Sequence, residues 1–171
     1  MTAILVACVG NIFNSDDGFG TEVAAVLGRA PMPEGVRLVD FGIRSVHLVY
    51  ELLSGYDVLV LVDTVGRQEG PPGTLYLLEP DLTAQDRSVD PLAGAVLDAH
   101  DLTPGGVMDL VPTLGGSVER ILVVGCQPGS LEDGIGLTEE VRAAVEPAAA
   151  MVHEVVRREL DRLGSAAARR R

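Results

Sequence analysis

The chain has 171 residues, of which 47% are hydrophobic but only 4% aromatic, and it carries a formal net charge of −12. This length fits one compact domain with an aliphatic core, so we expect a single domain over residues 1–164. The strong negative charge argues against nucleic acid and anionic membranes as partners. All 13 basic residues are arginine, and lysine is absent.

The sequence also bears on where the protein works. The first residues lead directly into a strand pattern, without the basic and apolar regions of a secretory signal. No apolar run reaches the roughly 20 residues that a membrane helix needs. The two cysteines, Cys8 and Cys126, are too few for a disulfide framework. We therefore expect a cytoplasmic protein with buried, structural thiols.

Apolar strand-like runs alternate with helix-like periodicity along the chain. Strands are predicted at Ile4–Val9, 36–41, 58–62, 74–79 and 120–125, and helices at 17–28, 45–54, 103–114 and 138–163. Residues 80–100 are predicted to form a long loop, and residues 165–171 a disordered basic tail. Because the strands are apolar throughout, the pattern predicts an α/β fold in three layers. It is a mostly parallel sheet with helices on both faces and the 74–79 strand at its edge.

Acidic residues stand where three of these strands end. Asp16 and Asp17 follow the first strand, Asp40 ends the second and Asp63 follows the third. Parallel strands bring their carboxyl ends to one edge of the sheet, where ligands usually bind. His100, in the long loop, can fold over that edge. Two carboxylates and an imidazole suit nickel, zinc, manganese or iron, and the ligand types alone do not choose among them.

Asp16, Asp17 and Asp40 also have structural interpretations. Asp16 fits a helix N-cap, with Asp17 as a first-turn acid stabilised by the helix dipole. Asp40 can accept hydrogen bonds from backbone amides in the turn at Gly42. Asp63 favours a functional role, because a carboxylate directly after a buried strand is costly without a partner.

An ordered set of motifs runs through residues 4–163. In chain order they are Gly10-Asn11, Asp16-Asp17-Gly18-Phe19-Gly20, Asp40 with Gly42, Val62-Asp63, Pro72-Gly73-Thr74, His100, Gly125 to Pro128, Gly136-Leu137-Thr138 and Glu146-Pro147. In their order and spacing these motifs resemble the hydrogenase maturation endopeptidases, which process the large subunit of nickel–iron hydrogenases.

The resemblance implies a twisted five-stranded sheet between helices and a nickel-recognition site formed by Asp17, Asp63 and His100. We expect Asp16 and Asp40 to be supporting residues of this site. Family members often carry glutamate where Asp17 stands, and glycine is expected where Cys8 stands. The implied reaction is one cleavage near the carboxyl terminus of the large-subunit precursor after nickel insertion.

The metal is therefore expected to arrive with the substrate, so that no permanent metal cage is needed. We expect Asp17, Asp63 and His100 to contact this nickel and to serve as the catalytic residues of an aspartic-type or metallo-endopeptidase. Nickel, as a Lewis acid, can polarise the scissile carbonyl while one carboxylate activates water.

Two alternatives come from other functional classes. Acids after the first and third strands also resemble a phosphoacceptor receiver domain, a signalling module. Such domains use a lysine after a late strand to hold the phosphoryl group, and this chain has none. The second alternative is a nickel-sensing chaperone that binds the precursor without cutting it.

Overall fold

The computed structural model describes residues 3–43, 45–66, 69–80 and 118–169. The strands of the described residues are β1 (Ile4–Val9), β2 (Val36–Gly42), β3 (Tyr56–Thr64), β4 (Leu75–Leu78) and β5 (Val118–Cys126). The helices are a 3-10 turn (Ser15–Gly18), α1 (Phe19–Leu27), α2 (Ser45–Leu52) and α3 (Glu139–Arg169). The predicted helix at 103–114, most of the predicted long loop and His100 lie outside the described residues.

The strands form one five-stranded sheet in the order β2-β1-β3-β5-β4. The pairs β2–β1, β1–β3 and β3–β5 are parallel, and β4 pairs antiparallel with β5 at the edge. This topology confirms the predicted mostly parallel sheet and its edge strand. The carboxyl ends of β1, β2, β3 and β5 consequently meet at one edge of the sheet, which is where Asp17, Asp40 and Asp63 stand.

Alternation of side chains along the central strands gives the sheet two apolar faces. One face of β1 presents Ile4 and Val6 to a core that includes residues of α1 and α3. The opposite face presents Leu5 and Ala7 to a second core that includes Leu48 of α2. Helices therefore cover both faces, as the continuous apolar strands predict, and the three-layer α/β architecture is confirmed.

Most element ends lie one or two residues from their predicted positions, and two of the differences have a clear physical reason. β3 extends to Thr64, because Asp63 and Thr64 continue the ladder opposite Gly125 and Cys126. Helix α3 continues to Arg169, into the segment predicted to be a disordered tail. The run of three alanines before Arg169 has high helix propensity, which physically favours this extension over the disorder that the composition had indicated.

Gly20 allows α1 to pack directly against the ends of the two central strands. A Cβ at this position would overlap the carbonyl oxygen of Val9 and lie 2.8 Å from that of Val62. Both obstacles are backbone atoms of the sheet, so they cannot move aside as a flexible side chain would. The missing side chain therefore fixes how close the Asp16-Asp17 turn lies to the sheet edge.

We expect Gly20→Ala to lower the free energy of unfolding by roughly 2–3 kcal/mol, because α1 must shift away from the sheet. Chemical denaturation measures this directly. Gly164→Ala in α3 is the matched control, since a Cβ there meets nothing within 4 Å. The control should stabilise the protein by up to about 1 kcal/mol through helix propensity. Equal stability of the Gly20→Ala variant and the wild type would contradict the packing argument.

Within the residues that the structure describes, no helix combines the length and the hydropathy required to cross a membrane.

Candidate active site

The turn after β1 places Asp17 at the carboxyl edge of the sheet. Gly10 leaves the strand with φ +145°, a conformation that L side chains rarely adopt. The Asn11 backbone N–H then donates to Asp17 Oδ2 at 2.9 Å. The Thr64 hydroxyl, at the end of β3, donates to Asp17 Oδ1 at 3.3 Å. Asp17 is therefore held from two strand ends at once.

Asp63 lies on β3 next to the residue that contacts Asp17. Its Oδ1 accepts a hydrogen bond from the Thr64 backbone N–H at 2.7 Å. Burial, followed by the negative charge of Asp17, raises the pKa of Asp63 to about 8, although hydrogen bonds from Thr64 act in the opposite direction. The structure thus brings Asp17 and Asp63 together as a pair of carboxyl groups bridged by Thr64. A cation close to the pair would favour the ionised form of Asp63.

Asp40 has a structural role at the end of β2. Its Oδ1 accepts hydrogen bonds from the Gly42 backbone N–H at 3.0 Å and from the Thr21 hydroxyl at 3.2 Å. The first bond closes the turn at Gly42, as the structural interpretation predicts, and the second ties that turn to α1. Asp40 is exposed, and it lies opposite Cys8 in the ladder between β2 and β1. Its negative charge is therefore close to the Cys8 thiol.

The prediction that Asp16 caps its own helix is wrong, because neither the 3-10 turn nor α1 has a side-chain cap. The buried carboxylate points instead toward the start of α3. Oδ2 accepts from the backbone N–H groups of Gly129 and Ser130, each at 2.8 Å, and from the Thr138 hydroxyl at 3.0 Å. Oδ1 accepts from the Thr138 backbone N–H at 2.7 Å.

These four bonds explain the ionisation of Asp16. Burial alone would raise the pKa of this carboxyl, but the donors from Thr138, Ser130 and Gly129 outweigh burial and hold the pKa below its ordinary value. Asp16 therefore remains charged and joins the turn after β1 to the loop before α3. Its position beside Asp17 makes it a support of the site rather than a member of the carboxylate pair.

Both cysteines are free and buried, which confirms the structural interpretation of the thiols. Burial raises the pKa of Cys8 well above its ordinary range, and the charges of Asp40 and Asp63 raise it further. Burial and the charge of Asp16 raise the pKa of Cys126 to about 11, although a hydrogen bond from Gly73 lowers it. Both thiols therefore stay protonated near neutral pH and are poor nucleophiles and metal ligands in that form.

The third predicted ligand, His100, lies outside the described residues, so its role stays a prediction. The other two histidines, His47 and His153, are exposed on α2 and α3, in line with their helical positions. Among the residues with described placement, no group of three His, Cys, Asp or Glu side chains is arranged to hold a metal. The described part of the site is thus the carboxylate pair alone.

The sequence interpretation missed two residues that position this pair, Thr64 and Asn11. A signal for each was present, because Thr64 directly follows Asp63 and Asn11 belongs to the Gly-Asn motif after β1. Neither signal identifies the hydrogen bond that the residue makes, since that bond depends on how the two strand ends lie against each other.

Comparisons with known proteins identify the family of this chain. Residues 22–155 match a family model described as hydrogenase maturation protease. The hydrogenase 2 maturation protease of Escherichia coli K12 is 30% identical over 155 residues, covering 90% of each chain. A hydrogenase expression/formation protein, HupM of Azotobacter chroococcum, is 35% identical over 151 residues, covering 86% of this chain and 68% of that protein.

Solved structures show the same fold. The hydrogenase maturating endopeptidase HybD of E. coli superposes with a TM-score of 0.71 at 29% identity, covering 92% of this chain and 93% of that one. The hydrogenase maturation protease HycI of Thermococcus kodakarensis gives 0.69 at 25% identity, with coverage of 91% and 93%. The chain therefore belongs to the hydrogenase maturation protease family, and its carboxylate pair lies in a hydrolase of that family.

Proposed function

We propose that this protease removes the carboxyl-terminal peptide from the nickel-loaded large-subunit precursor of a nickel–iron hydrogenase. The observation that carries the proposal is the carboxylate pair of Asp17 and Asp63. Asp17 lies in the turn after β1 and Asp63 on β3, and Thr64 bridges them at the edge where parallel sheets bind ligands. Family membership supplies the reaction class, proteolysis in hydrogenase maturation.

Nickel enters this proposal as part of the substrate. Within the part of the chain that the structure describes, no ion pair involves Asp17 or Asp63. Two carboxyl groups side by side suit a divalent cation presented by a partner, because the cation offsets the repulsion between their ionised forms. His100 is our proposed third ligand, since imidazole is also a good nickel ligand.

The chemistry follows from the placement of these groups. Contact of Asp17, Asp63 and His100 with the substrate's nickel orients the scissile bond at the sheet edge. Nickel, as a Lewis acid, polarises the scissile carbonyl. One carboxylate of the pair takes a proton from water as the water oxygen attacks the carbonyl carbon. That proton then passes to the leaving amine as the carbon–nitrogen bond breaks, which releases the tail and regenerates the carboxylate.

Of the alternatives, the receiver-like signalling domain has the weaker support. The chain contains no lysine for a phosphoryl group, and it matches a protease family over most of its length. A non-cleaving chaperone shares the same family and the same cation-attracting pair, so binding of the precursor alone does not separate it from a protease.

Multiple turnover separates the two. We expect the protein, in amounts far below stoichiometric, to convert all nickel-loaded precursor into a shortened subunit and one carboxyl-terminal peptide. Intact-mass spectrometry over time follows both products. A stable, uncut complex of protein and precursor would contradict the proposal and favour the chaperone.

A further inference from the structure

Four large apolar side chains are exposed on two loops beside the carboxylate pair. They are Ile12 (45% exposed), Phe13 (61%), Leu131 (49%) and Ile135 (83%). We call these four residues the two-loop patch. Ile12 and Phe13 follow β1, whereas Leu131 and Ile135 lie in the loop between β5 and α3. Isolated exposed apolar residues are ordinary, but several together on joined loops are typical of an interaction surface.

The two loops are joined by hydrogen bonds, so the patch is formed before any partner arrives. The Gly134 backbone N–H donates to the Phe13 carbonyl at 2.8 Å, and the Ser15 N–H donates to the Gly134 carbonyl at 2.9 Å. The Ser15 hydroxyl adds a bond of 2.9 Å to the Glu132 carbonyl. Together with the bonds of Asp16, these contacts hold the apolar side chains at the surface, and a preformed surface loses little entropy on binding.

The patch is continuous with the site. Asn11, which holds Asp17 through its backbone N–H, directly precedes Ile12. Gly18, directly after Asp17, packs so closely on Ile12 that a Cβ there would lie 3.2 Å from the Ile12 Cα. A protein segment whose peptide bond reaches Asp17 can therefore contact the two-loop patch at the same time.

Charge limits what can bind here. Glu132 and Asp133 are exposed between Leu131 and Ile135, and the whole chain has a net charge of −12. A second copy would bring the same acids and the same net charge against this surface, which disfavours self-association. A segment with apolar side chains flanked by basic ones can pack on the patch and pair its positive charges with Glu132 and Asp133.

We propose that the two-loop patch binds an apolar, basic-flanked segment of the large-subunit precursor and so holds the precursor while the tail is cut. This inference rests on the proposed function. The patch carries no group that takes part in proton transfer, so it acts on binding of the precursor and not on the chemical step.

The test compares Phe13→Ser and Ile135→Ser with the wild type on nickel-loaded precursor. Each variant should raise KM by roughly tenfold and leave kcat within about twofold, because a buried apolar anchor is lost from the interface. Leu77→Ser is the matched control, since Leu77 on β4 is also apolar and 44% exposed. The control should keep the wild-type KM. Glu132→Gln should weaken the salt dependence of kcat/KM, because an exposed acid near the patch is removed.

Three outcomes would overturn the inference while leaving the proposed function intact. One is an unchanged KM in both patch variants, and another is an equal rise in the Leu77→Ser control. The third is a sedimentation velocity experiment in which the wild type is a dimer and the Ile135→Ser variant is a monomer. That result would assign the patch to self-association. Absence of cleavage by the wild type itself would instead contradict the proposed function.

Discussion

Asp63→Asn is expected to reduce the turnover of nickel-loaded precursor by roughly 10²–10⁴-fold, the range typical of losing an acid–base group at a reacting centre. Asparagine keeps the shape of the side chain but can neither take a proton from water nor offer a charged oxygen to a cation. Asp17→Asn should have an effect of the same order, because both carboxylates belong to one pair bridged by Thr64. Initial rates of tail release, measured by mass spectrometry, give the comparison.

Asp57→Asn is the matched control for this substitution. Asp57 lies at the opposite end of the same strand and is partly buried like Asp63. It should keep wild-type turnover. The Asp63→Asn variant should also fold with at least wild-type stability, because a neutral amide avoids the cost of burying a carboxyl group whose pKa is raised. Wild-type turnover in the Asp63→Asn variant would show that this carboxylate is not catalytic.

Asp16→Ala is expected to lower the free energy of unfolding by about 3 kcal/mol, since it leaves three backbone N–H groups and one hydroxyl near the start of α3 without their acceptor. Asp16→Asn should lower the free energy of unfolding by nearly the same amount. Donors face both carboxylate oxygens, so the amide nitrogen must face another donor whichever way the side chain turns. Urea denaturation of the three proteins measures the losses.

The effect of Asp16 should also depend on pH. Its folded-state pKa is lowered, so its stabilising contribution is complete above its unfolded-state pKa and is lost as pH falls through the lower folded-state value. The difference between the wild type and Asp16→Ala should therefore shrink in acid. Thr138→Val, which removes only the hydroxyl donor, should cost about 1 kcal/mol. A constant difference across the acid range would contradict the assigned network.

Local pattern was sufficient to predict much of this fold. Continuous apolar runs identified buried strands, because a strand covered on both faces has no polar side. The acids that follow these runs were therefore predicted at the carboxyl edge of the sheet, where the structure has them. The same logic placed Asp17 and Asp63 near each other although they are 46 residues apart in the sequence. Parallel topology, once inferred, determines which strand ends meet.

What local pattern could not predict depends on distant contacts. The partners of Asp16 lie 113 to 122 residues away, so its sequence neighbourhood indicated only a cap for the adjacent helix. The end of β3 was also misplaced. Asp63 and Thr64 are polar and indicate the start of a loop, and only their ladder partners on β5 show that the strand continues. His100 lies outside the described residues, and its part in the site is still a prediction.

The proposed function requires that cleavage at the carboxylate pair follows metal loading of the precursor. The most direct measurement is the intact mass of nickel-loaded and nickel-free large-subunit precursor after incubation with this protein. We predict loss of one carboxyl-terminal peptide from the loaded precursor and an unchanged mass for the nickel-free one. Equal cleavage of both precursors, or cleavage of neither, would contradict the proposed function.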